Sequence, residues 1–131
     1  ADEEMTLLCI VPRGGGECVE FEVGVLPKET ADKLKKKIEK LCGIPADDLE
    51  LFSKNSEPEA KNVWLRPDDM LGAQNVRDGA VITVGVHGMK GQMPIEVESG
   101  EVPADAVARS MAKGETSYYF SHSKQSEVPE E

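Results

Sequence analysis

The chain has 131 residues, a formal net charge of −10, 39% hydrophobic residues and only 5% aromatics. That length suits one domain plus extensions, and runs such as LLCIV are far shorter than the ~20 apolar residues of a membrane span. The acidic balance lacks the uncompensated basic surface that nucleic-acid binding needs.

The charge is unevenly placed. Residues 5–92 carry 12 Lys and Arg against 14 acids, residues 93–131 carry 3 against 8, and residues 1–4 hold three acids. The expected organisation is an acidic N-terminal extension (1–4), a nearly neutral domain (5–88) and an acidic tail (89–131). The start ADEEM lacks the basic-then-apolar order of a signal peptide, so a monomeric protein located in the cytoplasm, and compatible with the nucleus, is expected.

Residues 5–11 (MTLLCIV) read as a strand. Residues 17–25 (ECVEFEVGV) alternate, Val19, Phe21, Val23 and Val25 facing one way and Glu20 and Glu22 the other. The intervening PRGGG predicts a hairpin with a longer, mobile loop. A phosphate-cradling role for these glycines would need a helix to follow directly, and a second strand follows instead. Next comes the clearest element. Thr30 is placed as an N-cap with Asp32 in the first turn, Ala31, Leu34, Ile38 and Leu41 recur at helical spacing, and Gly43 closes the helix.

Pro45 prevents continuation. Leu49, Leu51 and Phe52 predict a short strand after IPADD, and SKNSEPEAKN an inserted surface loop. Residues 63–65 (VWL) form a brief strand, PDDMLGAQN a turn or single helical turn, and residues 80–86 the last apolar strand, giving the order β-β-α-β-β-β. Beyond Met93 the chain is dominated by Glu, Ser and small residues, the composition of a mostly disordered tail; residues 103–112 can form at most a weak helix.

Three cysteines, Cys9, Cys18 and Cys42, make neither an even disulfide set nor a CxxC pair, and their apolar neighbours predict buried, reduced packing residues. With His87 they lack ligand-type spacing, so no metal site is expected. The two histidines, His87 and His122, form no nucleophilic or acid–base constellation with the cysteines. The chain is therefore expected to be non-enzymatic and to need no cofactor.

The order of a hairpin, one amphipathic helix and short strands is that of the β-grasp fold, an α+β architecture. The segments VLPKET, TADKLKKKIEKLCGIPADD and NVWLRPDDMLGAQNVRDGAVITV resemble ubiquitin, without a gap over residues 21–52 and with the GIP turn in register. The resemblance spans residues 5–88. It implies a mixed sheet packed on one helix, with Leu7, Cys9, Phe21, Val23, Val25, Leu49, Leu51, Ile82 and Val84 meeting Leu34, Ile38 and Leu41. It also places Lys35 where ubiquitin carries a partly buried lysine, either ion-paired with Asp68 or Asp69 or solvated.

Conjugation by ubiquitin uses a free C-terminal diglycine. The aligned positions here are Lys90 and Gly91, approached by His87, Gly88 and Met89 rather than by arginines. A modifier trimmed after Gly88 or Gly91 is the alternative reading, and a non-conjugated interaction module, an intracellular adaptor or cofactor, is the principal one. Of ubiquitin's apolar sheet patch Phe52 keeps an apolar group, while Thr83 and Gly85 replace other members.

Two further groups are candidate contacts for other proteins. Lys33, Lys36, Lys37 and Lys40 line the helix with Lys35, either as a solvated face or as a basic face for an acidic segment. Tyr118, Tyr119 and Phe120 are three of the chain's six aromatics, set in a polar tail, either as a linear motif for a partner's pocket or as a cluster folding back on the domain.

Overall fold

The computed structural model describes residues 3–57, 62–89 and 95. Five strands, β1 (Met5–Gly14), β2 (Glu17–Val25), β3 (Leu49–Lys54), β4 (Val63–Trp64) and β5 (Val81–Val86), surround one helix, α1 (Ala31–Cys42). They form a mixed sheet in the order β2-β1-β5-β3-β4. The hairpin β1–β2 is antiparallel, β1 and β5 run parallel, and β3 pairs antiparallel with both β5 and β4. This is the β-grasp expected from the element order.

Local chemistry accounts for the helix and its ends. The Thr30 hydroxyl accepts the Lys33 N–H at 3.2 Å, and Gly43 closes the helix at φ 82, donating its N–H to the Glu39 carbonyl, a left-handed cap that suits glycine. Asp32 in the first turn and Lys40 in the last complement the helix dipole.

Alternation sends Leu7, Cys9, Val11, Val23, Val25, Leu49, Leu51, Ile82, Val84 and Val86 to the face that receives Ala31, Leu34 and Ile38. Burying one such aliphatic side chain stabilises the fold by about 1.5–3 kcal/mol. The β4–β5 connection adds Leu65, Leu71, Val76 and Ala80 to the same core, members that its turn-like composition concealed.

Three expectations are corrected. The PRGGG loop is short, because β1 continues to Gly14 through a register shift between Pro12 and Gly14, and Gly14, Gly15 and Gly16 all take positive φ, as a tight turn requires. Leu41 is 48% exposed. The helical stripe from Leu34 through Ile38 continues four residues on at Cys42, which packs on the core together with Ile44. The cysteines also differ among themselves: Cys9 is buried, Cys42 half-buried and Cys18 exposed, since strand alternation places Cys18 in phase with the exposed Glu20 and Glu22.

Candidate functional site

Three lysines of α1 form ion pairs with two nearby acids. Lys33 Nζ lies 3.3 Å from Glu29 Oε2 and Lys36 Nζ 3.4 Å from Asp32 Oδ2, each one helical turn apart. Lys37 reaches both Glu29 Oε1 at 3.1 Å and the Gly24 carbonyl at 2.8 Å, tying the helix to the end of β2. Burial pushes the Glu29 carboxyl up, but hydrogen bonds from the Leu26 N–H, Lys37 and Lys33 outweigh it and hold the group below the usual carboxylate range. Lys40 is exposed. Lys33, Lys36 and Lys37 are thus each held beside a local acid.

Lys35 is buried. Asp69 is engaged by Arg66 Nε, and Lys35 contributes its field to Glu50.

Phe52 requires a correction. It stands on the face opposite α1, where an open sheet would expose it, yet its side chain is 0% accessible. The apolar group that aligns with ubiquitin's patch is therefore covered and presents no surface to a partner. The cause is cover on the outer face, since the pairing register puts Phe52 beside Thr83 and Trp64, and Glu50 beside Gly85, all pointing away from the helix.

Beside Phe52 the outer face holds a buried polar cluster that the sequence does not disclose. Glu50 Oε2 is 2.9 Å from His87 Nε2, and Glu50 Oε1 accepts the indole N–H of Trp64 at 2.9 Å. Burial pushes the Glu50 carboxyl up, but hydrogen bonds from His87 and Trp64 and the charges of Lys35 and His87 outweigh it and keep the group below the ordinary carboxylate range. A carboxylate has no proton to donate, so the His87 nitrogen facing it carries the hydrogen. Glu50 was legible only as a lone acid within LELF, and its partner His87 follows the last strand.

An open apolar groove lies at the C-terminal end of α1. It encloses about 260 Å³, and Val11, Val19, Phe21, Leu41, Ile44 and Met89 line it, with Arg13 as its charged member. The half-buried Cys42 also faces it. Cys9, by contrast, sits in the core, where burial pushes its thiol up to about 12, so it remains an unreactive thiol.

Gly88 adopts φ 83 in a turn where the Met89 N–H donates to the Val86 carbonyl at 3.3 Å. Gly91, Tyr118, Tyr119, Phe120 and residues 103–112 lie outside the described residues. Among the described residues no three His, Cys, Asp or Glu side chains are grouped to hold a metal ion, and no helix is long and apolar enough to cross a membrane.

These features define a β-grasp domain with one aliphatic core and two distinct faces. The family model described as "Ubiquitin-like domain" matches residues 15–85, more than half of the chain, and the chain belongs to that family. No curated protein matches its sequence. Among solved structures, the ubiquitin-like domain from tubulin-binding cofactor B shares 21% identity at a TM-score of 0.53, covering 64% of this chain and 90% of that one. The C-terminal ubiquitin-like domain of mouse tubulin-specific chaperone e shares 20% at a TM-score of 0.53, with 64% and 87% covered. The ubiquitin-like domain of Arabidopsis thaliana protein At2g32350 shares 20% at a TM-score of 0.51, with 63% and 77% covered. At these identities the likeness is one of fold.

Proposed function

We propose that the chain is a non-enzymatic protein-interaction module that serves as an intracellular adaptor or cofactor. The groove at the end of α1 carries this reading: it is open and lined mainly by apolar side chains, and Leu41 stands 48% exposed at its side. Exposed aliphatic groups gathered around a concavity are a common form of protein-binding site. The partner it suits is a short segment with an aliphatic or aromatic anchor and a nearby carboxylate for Arg13. Tubulin-binding cofactor B and tubulin-specific chaperone e likewise contain the fold as a domain, which supports a built-in module.

The turn geometry at Gly88 supports a structural use of that glycine over a released terminus. Intact-mass measurement of the native protein from cells addresses the modifier alternative, because a species ending at Gly88 or Gly91, or a ladder of adducts, would replace the adaptor reading. Affinity capture with the full chain, with Leu41→Asp, and with Tyr118, Tyr119 and Phe120 changed to alanine separates the contact surfaces. A partner lost with Leu41→Asp uses the groove, one lost with the aromatic replacements uses the tail motif, and one retained by every variant overturns both assignments.

A further inference from the structure

Cover over Phe52 is local, and the described residues narrow its source. A sheet packed on one helix leaves its second face to water, and at the hairpin end this holds: Glu20 and Glu22 are exposed, while Leu8 and Ile10 are half-buried. Over β3 and β5 it fails. Glu50, Phe52 and His87 are 1%, 0% and 5% accessible, and Gly85 is buried with them. The helix cannot supply this cover, since Ala31, Leu34 and Ile38 belong to the core on the opposite face, as do the buried residues of the β4–β5 connection.

Two buried hydrophobic residues among those described stand outside that core: Phe52 and Ile95. Ile95 is 5% accessible, although it follows the last strand within a polar stretch, QMPIEVES. The link from Met89 to Ile95 reaches up to about 20 Å when extended, whereas β5 and the neighbouring β3 are about 4.8 Å apart. His87 already lies on the outer face against Glu50; beyond the Gly88 turn Met89 packs on the core side, and a link of this reach is long enough to return residue 95 to the outer face.

We infer that Ile95 docks on the outer face of the sheet as an intramolecular anchor, filling an apolar site centred on Phe52 and sealing the Glu50–His87 pair beneath it. The site takes an aliphatic side chain, and the chain itself supplies the resident one. The domain thereby presents the groove at the end of α1 while withholding the Phe52 face, and an aliphatic-anchored segment from another protein gains that face only by displacing Ile95.

Trp64, the chain's single tryptophan, pairs with Phe52 across β3 and β4 and reports on this face. In the full-length Ile95→Asp protein the fluorescence of Trp64 is expected to shift to the red and to become more accessible to acrylamide, with far-UV circular dichroism retained. A synthetic peptide of residues 89–100 is expected to reverse both changes saturably, and to leave the wild-type protein unaltered because its site is filled. Should the aspartate variant fail to fold, Ile95→Ala carries the same readouts. Unchanged tryptophan accessibility in a folded variant would overturn the assignment, as would a peptide that fails to act on the variant or binds wild type equally well.

Discussion

His87 Nε2 stands 2.9 Å from Glu50 Oε2, with the two side chains only 2% and 1% accessible. The pair joins the end of β5 to β3, and the second carboxylate oxygen holds Trp64 of β4, so one acid ties three strands on the outer face. Deleting one partner of such a buried pair leaves the other uncompensated. Glu50→Ala is expected to destabilise the domain by roughly 3 kcal/mol, and Glu50→Gln by less because an amide oxygen can still accept. Urea unfolding of the variants beside wild type gives the comparison.

The same carboxylate sets a pH dependence. Glu50 and Glu29 both titrate below their usual 4.5 in the folded protein, so the native state binds fewer protons than the unfolded chain in that range. Their stabilisation is complete above the unfolded value and is lost as pH falls through the folded one. Melting temperature is expected to drop as pH is lowered from 4.5, and the Glu50→Gln, Glu29→Gln double variant to flatten that slope.

The helix lysines separate by what they touch. Lys36 meets Asp32 at the surface, where such pairs contribute about 0–1 kcal/mol, and Lys36→Ala is expected to leave the unfolding midpoint nearly unchanged. Lys37 also donates to the Gly24 carbonyl, so Lys37→Ala is expected to cost more, about 1 kcal/mol. Chemical denaturation at low and high salt distinguishes the two, with the Lys37 effect persisting when exposed charges are screened.

Thiol chemistry follows from placement. Cys18 is exposed and Cys9 buried with its thiol pushed up to about 12. Iodoacetamide at pH 8 is expected to label Cys18 in the native protein and Cys9 only after denaturation, as peptide mass mapping would read directly.

At the helix C-cap, Gly43 has φ 82 and an added Cβ would meet nothing within 4 Å. The cost of Gly43→Ala is therefore one of backbone strain, about 1 kcal/mol, measurable as a lowered melting temperature with no change in the core.

Much of this fold was legible because its signals are local. Thr30, Gly43 and the period of Leu34 and Ile38 identify α1, and two-residue alternation sorts Val23 and Val25 from Glu20 and Glu22. The pairing of Lys33 with Glu29 and of Lys36 with Asp32 is also written in four-residue spacings. The fate of Phe52 was not legible. Its alternation with Leu51 correctly gives the outer face, but burial there depends on residues remote in sequence. The partnership of Glu50 with His87 likewise arises from β3–β5 register, which neither strand specifies alone. At Leu41 both the third and fourth residue after Ile38 were apolar, and Cys42 took the core side.

The parallel pairing of β1 with β5, at Leu8 with Val81 through Ile10 with Thr83, has a bearing on biosynthesis. The sheet's central neighbours come from the first and last strands of the domain, so the long loop between them must close before this pairing is made. A nascent chain can form the hairpin and helix early, but its sheet stays unfinished until Val86 has cleared the ribosomal tunnel. Until then Leu49 and Leu51 on β3 lack the strand that joins them to the hairpin, and chaperone engagement is most valuable in that interval.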